Sequence, residues 1–420
     1  MTSPTLDSPE QPSTTRELLT HRNFVLYWLS RWTAVLAVQI EAVTLNWQVY
    51  EIARRTMDVK PAALMVSLLG LVTFLPVLLL FLPAGENADR RNRRRILIVC
   101  YLVEIAVAGV LLAVTWRGLA NVPVLLAIAA AFGAARAFFG PASSAMAPML
   151  VPRCLLPRAI AASSLAWQTG SVVGPLIGGF LVAVSPTVAY SGSLALYIVA
   201  VSTMFFINAN TSPVVQAGSR WALMKEGLAY VWRTKIVFGS ISLDLAAVIL
   251  GGVTLLLPAF AKDVLQIGPH GFGMLRAAPG VGAAAVALWL AARPIHRHAG
   301  RAMFAGVAVY GLATLVFAVS KWLPLSLLAL ALLGAGDMVS VYVRQTLVQL
   351  VTPDHMRGRV ATVSGLFIGA SNELGEFESG IVARFLGVVG AGIFGGVGAL
   401  VVTGLWARLF PDLRKADRLA

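Results

Sequence analysis

Residues 83–97 read PAGENADRRNRRRIL. On either side the chain is apolar over 61–83 and 96–116, each run close to the roughly 20 residues of helix that cross a bilayer core. So short and basic a turn between two such runs marks an integral membrane protein whose spans are joined by tight loops. The spacing predicts that the first helix ends at Pro83 to Gly85, with Asp89 after it. Five arginines, Arg90, Arg91, Arg93, Arg94 and Arg95, then hold the connection on the cytoplasmic side.

The rest of the chain repeats this pattern. Of its 420 residues, 58% are hydrophobic and 12% charged, with a mean hydropathy of +0.79, far more apolar than a soluble domain. The formal net charge of +14 is topological in origin: the charges sit in short loops, and no basic, aromatic-interleaved surface suits a nucleic acid. Cys100 and Cys154 offer no disulfide framework. The polar opening MTSPTLDSPEQPSTTRELL is expected to be a short disordered tail and not a cleaved signal. Twelve runs are long enough to span, at 24–48, 61–83, 96–116, 122–149, 159–184, 188–208, 236–260, 270–292, 301–320, 324–350, 359–385 and 390–407. Lys and Arg crowd the two tails and the even-numbered loops, whereas the fifth and eleventh loops have none, so both termini are expected in the cytoplasm. The expected organisation is a tail (1–23), a six-helix half (24–208), a cytoplasmic linker (209–235), a second six-helix half (236–407) and a tail (408–420). Within the linker, Trp221, Met224, Leu228 and Val231 share a helical face, which predicts a helix lying along the membrane surface.

Residues 83–97 resemble the signature loop of the major facilitator superfamily, G-x-L-A-D-R-x-G-R-R. Gly85, Ala88, Asp89, Arg90, Arg93 and Arg94 fall on that pattern, while Asn87 replaces its Leu and Asn92 its second Gly. The resemblance implies a latch between the two halves at the cytoplasmic face. The equivalent loop at 292–303, ARPIHRHAGRAM, keeps Gly300 and Arg301 without an Asp, so such a latch is one-sided. GSVVGPLIGG, residues 170–179, places Gly170, Gly174, Pro175, Gly178 and Gly179 on a pattern similar to the antiporter motif of exporters. Independently, small residues four apart allow close helix approach, and Pro175 frees a backbone carbonyl. With NFVLYWLSRW (23–32), RAFFGPASSAMAPMLVP (136–152) and VTPDHMRGRV (351–360), the chain resembles, over nearly its whole length, the branch of the superfamily that contains the enterobactin (siderophore) exporter. That branch also holds drug exporters.

Charges inside apolar spans are costly, so they normally face a cavity or a partner. Arg31 and Glu41 fall in the first span, Arg136 in the fourth, Asp244 in the seventh, and Asp337 and Arg344 in the tenth; the resemblance implies that these four spans line a central cavity. Asp337 and Arg344, seven apart, share a face and are expected either to pair locally or to serve the site. Glu104 is expected to snorkel, and Arg276 and Arg384 to be topological. In the eleventh span, SNELGEFESG (371–380) carries Glu373 and Glu376 about 60° apart on a helix, with Glu378 roughly 160° from Glu376. Two carboxylates close together in a dry site cannot both ionise cheaply, which suits a proton-coupled exchanger; capping or bridging of neighbouring helices is the structural alternative.

The expected protein is therefore an all-α, multi-pass transporter in the cell (inner) membrane, working as a monomer and exporting a small amphipathic compound, siderophore-like or drug-like, in exchange for protons. An importer or facilitator of the same fold is the alternative; a membrane sensor or enzyme is more distant. The residues expected to bind substrate or couple protons are Glu41, Arg136, Asp244, Asp337, Glu373 and Glu376. No cofactor, metal or nucleic-acid partner is expected, and no phosphate-binding G-x-x-x-x-G-K-[ST] occurs.

Overall fold

The computed structural model describes residues 15–209, 211, 220–295 and 297–416. Of the expected tails and linker, residues 1–14, 210, 212–219 and 417–420 lie outside the described residues. A short α1 (Thr15–Thr20) leads into α2 (Arg22–Arg54), α3 (Val59–Arg90), α4 (Arg93–Trp116), α5 (Val122–Met146), α6 (Leu156–Val184) and α7 (Pro186–Phe205). Then come α8 (Arg220–Arg233), α9 (Lys235–Gly251), a short α10 (Leu257–Ala259), α11 (Gly268–Ala292), α12 (Ala299–Val319), α13 (Leu323–Val351), α14 (Asp354–Leu409) and α15 (Pro411–Lys415). Ten helical segments of the described residues are long and apolar enough to cross a membrane.

Local chemistry explains several boundaries. Asn92, Asn121 and Ser185 each accept a hydrogen bond from the backbone N–H three residues on, capping α4, α5 and α7, and proline follows directly in the first turn of α5 and α7. The turn at 83–97 differs from expectation. Neither Pro83 nor Gly85 stops α3, which runs on to Arg90, so the connection shrinks to Arg91 and Asn92. The final turns of α3 are held in the protein, with Ala84, Gly85 and Ala88 buried.

Two elements depart from a simple span. α14, 56 residues long, contains one non-helical residue, Gly387, at φ 81° and ψ 169°, a conformation open to glycine and closed to side-chain-bearing residues. Gly375 lies against Val248 and Ile249, and Gly395 against Leu250 and Gly251. Both segments therefore pass the same level of α9, and the chain doubles back at Gly387. The seventh expected span is likewise interrupted. α9 stops at Gly251, and the chain resumes through a 3-10 turn (Thr254–Leu256), α10 and a π-helical turn (Phe260–Val264).

Helices α2–α7 pack on one another, as do α9 and α11–α14, while α6 meets α11 and α3 meets α14 across the divide. These cross-contacts begin at the end of the bundle remote from the termini. There the Tyr50 hydroxyl donates to Asp263, Arg54 pairs with Asp263 at 3.0 Å, and the Lys60 ammonium donates to the Phe385 carbonyl at 3.1 Å. Trp47 stacks on Phe272 with centroids 5.8 Å apart. The glycines of 170–179 serve both interfaces: Gly170, Gly174 and Gly178 receive α2 at Val35, Gln39 and Ile40, and Gly179 receives Gly273 of α11. Helix α8 spends its apolar face on protein rather than lipid, since Met224, Leu228 and Val231 pack with Val348, Val360 and Val363, and Glu226 pairs with Arg359. Trp221 and Trp232 stay exposed.

A methyl group at Gly179 would sit 2.7 Å from the Gly273 Cα, and one at Gly273 2.7 Å from the Pro175 carbonyl oxygen. Gly179→Ala and Gly273→Ala are each expected to destabilise the purified protein by about 1–3 kcal/mol through overpacking. Gly109→Ala, with nothing within 4 Å of the added carbon, is expected to leave the melting temperature unchanged or raise it slightly. Thermal unfolding in one detergent compares all three.

Candidate functional site

Just inside the end joined by Tyr50, Arg54 and Asp263, where α9 breaks, the bundle holds a cluster of ionisable groups. Gly252 allows the break to press on the neighbouring helix: a Cβ there would sit 2.7 Å from the Gly375 carbonyl carbon. A cavity of about 290 Å³ beside it is lined by Thr254, Tyr310, Asp337, Asn372 and Glu376 among others. A smaller one of about 70 Å³ lies between the halves, lined by Asn46, Gly70, Arg136, Arg276, Glu373 and Glu376 among others. Glu376 borders both. Irregular backbone inside a membrane is tolerated where it lines a cavity, and broken spans there commonly mark ligand sites.

Glu373 and Glu376 come together over Gly70 of α3, their carboxylate oxygens 3.6 and 3.8 Å from the position a Cβ would take there. Glu378 is half-buried elsewhere, with the Ser379 hydroxyl donating to it at 3.5 Å. The guanidinium of Arg276 stands 4.0 Å from Glu376, close enough for an ion pair and too far for a hydrogen bond. Arg276 therefore faces the site and is not a topological charge. It lies eight residues into α11, about 12 Å of helix, too deep to snorkel.

Arg136 stands exposed on α5, its guanidinium 5.5 Å from the centre of the Phe132 ring. It is within electrostatic range of Glu373 and Glu376 on one side and of Glu41 and Glu104 on the other. Glu104, expected to snorkel, is buried instead, at 4% exposure. It sits on the α4 stripe formed by Cys100, Glu104, Val107 and Leu111, and that spacing is its signal in the sequence. The Glu41 carboxyl and the Tyr197 hydroxyl, both fully buried, lie together as hydrogen-bonding neighbours, while Oε2 of Glu104 is buried without a partner. Arg31 serves its own half, donating to the Tyr27 hydroxyl at 3.0 Å and to Ser143 Oγ at 3.1 Å.

In the second half Arg344 reaches across to α9 and donates to Asp244 at 2.6 Å, both side chains nearly inaccessible. The local Asp337–Arg344 pair does not form; Asp337 points into the larger cavity with Tyr310, whose hydroxyl donates to the Gly251 carbonyl at 2.9 Å. At the signature loop, Arg93 donates to the Ala145 carbonyl at 3.1 Å, and Arg94 to the carbonyls of Met204 and Phe205 at 3.0 and 2.7 Å. Arg90 pairs with Glu86 on its own helix. Arg93 and Arg94 thus staple α4 to α5 and α7 inside one half. Asp89 lies half-buried on the last turn of α3.

Two packed helical halves, a broken span and buried charges at the divide define a membrane transporter of the major facilitator fold. Residues 14–419 match the family described as transmembrane secretion effector, and the chain belongs to that family, whose members are transporters and not enzymes. The multidrug efflux pump Tap of Mycobacterium tuberculosis is 30% identical over 375 residues, covering 84% of this chain and 86% of that one. The enterobactin exporter EntS of Escherichia coli is 27% identical over 391 residues, covering 91% and 87%. Among solved structures, a bacterial homologue of the iron transporter ferroportin, crystallised in an inward-facing state, superposes with a TM-score of 0.69 at 16% identity, over 93% of this chain and 99% of that one.

Removing one partner of the buried Asp244–Arg344 pair strands the other. Asp244→Asn and Arg344→Gln are each expected to cost about 3–5 kcal/mol, and the double variant much less than the sum. A double-mutant cycle on thermal stability in detergent checks this; additive losses would mean the two groups are not coupled.

Proposed function

We propose that this protein is a proton-coupled exporter of small amphipathic compounds in the cytoplasmic (inner) membrane. In this reading α2, the nine single-pass candidate segments and the two arms of α14 make twelve spans. They form two halves, 24–208 and 236–407, with the linker and both tails in the cytoplasm, as the loop charges favour. The end closed by Tyr50, Arg54 and Asp263 is then the outer one, and the site is reached from the cytoplasm. Asp89 acts when the halves swing together at the cytoplasmic end.

One observation carries the reading. Glu41 and Glu104 have Arg136 as their guanidinium, and Glu373 and Glu376 have the same Arg136 together with Arg276. Leaving the surplus carboxylates ionised in so dry a place costs several kcal/mol apiece, and taking up protons removes that cost. Ionised Glu373 and Glu376 hold a cationic or hydrogen-bond-donating group of the cargo, and a proton arriving on Glu376 removes that charge and releases the group. Exchange follows because the same carboxylate cannot serve cargo and proton at once. Export, over uptake by the same fold, is supported by the 170–179 motif and by the names of the relatives, a multidrug efflux pump and an enterobactin exporter.

Glu373→Gln and Glu376→Gln keep the shape of the protonated acid and remove its titration. Both variants are expected to catalyse exchange of a fluorescent amphipathic dye between equal pools in everted vesicles, yet to lose at least about tenfold of proton-driven accumulation. Glu378→Gln is expected to stay near wild type. Normal accumulation by both site variants, normalised to protein present, would move coupling to Asp244 or Asp337; low abundance with intact coupling would make the glutamates structural.

A further inference from the structure

Two large grooves lie away from this site, on the outward flank of α4 and α5. A groove of about 790 Å³ starts at the end of the bundle that bears the termini, between Asn87, Arg91 and Arg95. It runs along Val99 and Val103, which also line a second groove of about 700 Å³ that continues toward Val110 and Val114. Although Val124, Ile128 and Phe138 also line it, the α5 wall is low along Ala127, Ala131 and Ala134. These residues lie on the side of α5 opposite Arg136, since 134 and 136 are about 200° apart on a helix, so the groove faces lipid and not the transport cavity.

Its head is polar and its body apolar. The side chains of Arg91 and Arg95 are exposed and, among the described residues, make no hydrogen bond or ion pair, unlike Arg90, Arg93 and Arg94 beside them. The Oδ1 of Asn87, between them and the body of the groove, is buried with no hydrogen-bond partner. Val99, Leu102, Val103 and Val110 are between 39% and 59% exposed. From Arg95 to Val107 the helix rises roughly 18 Å, close to one leaflet of a hydrocarbon core of about 30 Å. Two unpaired guanidiniums at headgroup level above an apolar trough one leaflet long complement a phosphate with an acyl chain attached.

We propose that the α4–α5 groove is a binding site for an anionic phospholipid of the leaflet on the side of the termini. Its phosphate lies between Arg91 and Arg95, its glycerol hydroxyls reach Asn87, and an acyl chain lies along Val99 and Val103. Arg93 and Arg94 anchor α4 to α5 and α7 from within, so the lipid completes from outside the charge pattern these residues leave open.

The test is retention of lipid by the purified full-length protein in native mass spectra, offered phosphatidylglycerol or phosphatidylcholine of identical chains. Phosphatidylglycerol is expected to be held on the order of tenfold better. Arg91→Gln/Arg95→Gln is expected to bring it down to the phosphatidylcholine level, and Ala131→Trp, which fills the trough beneath intact arginines, to lower retention of both lipids. Glycerol 3-phosphate, which has the headgroup charge and no chain, is expected not to compete. Equal retention of the two lipids, a preference that survives the double arginine change, unchanged retention in Ala131→Trp, or full competition by glycerol 3-phosphate would each overturn the proposal. The tryptophan variant leaves every loop arginine in place, so the test stands even if the double variant fails to insert.

Discussion

Arg136 is shared by two pairs of carboxyl groups, Glu41 and Glu104 behind it in its own half and Glu373 and Glu376 across the divide. Arg276 adds one more positive charge beside Glu376. Acids outnumber guanidiniums in this largely buried centre, and the same imbalance recurs where Asp244 and Asp337 lie near the single guanidinium of Arg344. A soluble protein would relieve it with water; within a bilayer the relief has to come from protons, from cargo, or from movement that opens the site. The broken α9, the cavities on either side of Glu376 and the glycine contacts around them all serve to hold these charges close without filling the space between them.

The closed end shows how the halves can be both joined and movable. Its polar contacts are an ion pair and a tyrosine hydrogen bond at Asp263 and one lysine on a carbonyl, set beside the Trp47–Phe272 stack and backbone meeting backbone at Gly179 and Gly273. The polar contacts are directional and can exchange for others, while the apolar ones belong to a buried cluster that runs through both halves and have to part when the end opens. Inside each half the packing is of another kind. Gly170, Gly174 and Gly178 receive the side chains of α2, and Arg93 and Arg94 tie three helices together, so the first half is packed as a unit.

The architecture is largely legible in the sequence because bilayer thickness imposes a length on every span, and runs such as 301–320 and 324–350 obey it. The side-chain geography is less so. A helix apolar on every face carries little sign of which face is buried, so Glu104 reads as a snorkelling residue although it lies on the stripe of Cys100, Val107 and Leu111. Arg276 misleads through its distance from a span end, and Arg344 because its partner lies 100 residues away on another helix. Pro83 and Gly85 read as a helix stop; tertiary contacts override them, since the final turns of α3 are buried against neighbouring helices. The spacing of Glu373, Glu376 and Glu378, by contrast, follows from helix geometry alone, and the structure sets the first two together at Gly70 and the third apart.

The proposed proton coupling requires that the charge state of the carboxyl groups between the halves bias which end is closed. It is tested most directly by spin-label distance measurements in liposomes, with Cys100 and Cys154 first replaced by serine. One label pair at Leu119 and Trp322 reports the end remote from the termini, and another at Phe205 and Leu350 reports the end that bears them. The account predicts that the two distances change in opposite directions between acidic and alkaline buffer, and that Glu373→Gln/Glu376→Gln abolishes the response. Distances that ignore pH, or a double variant that still responds in full, would contradict it.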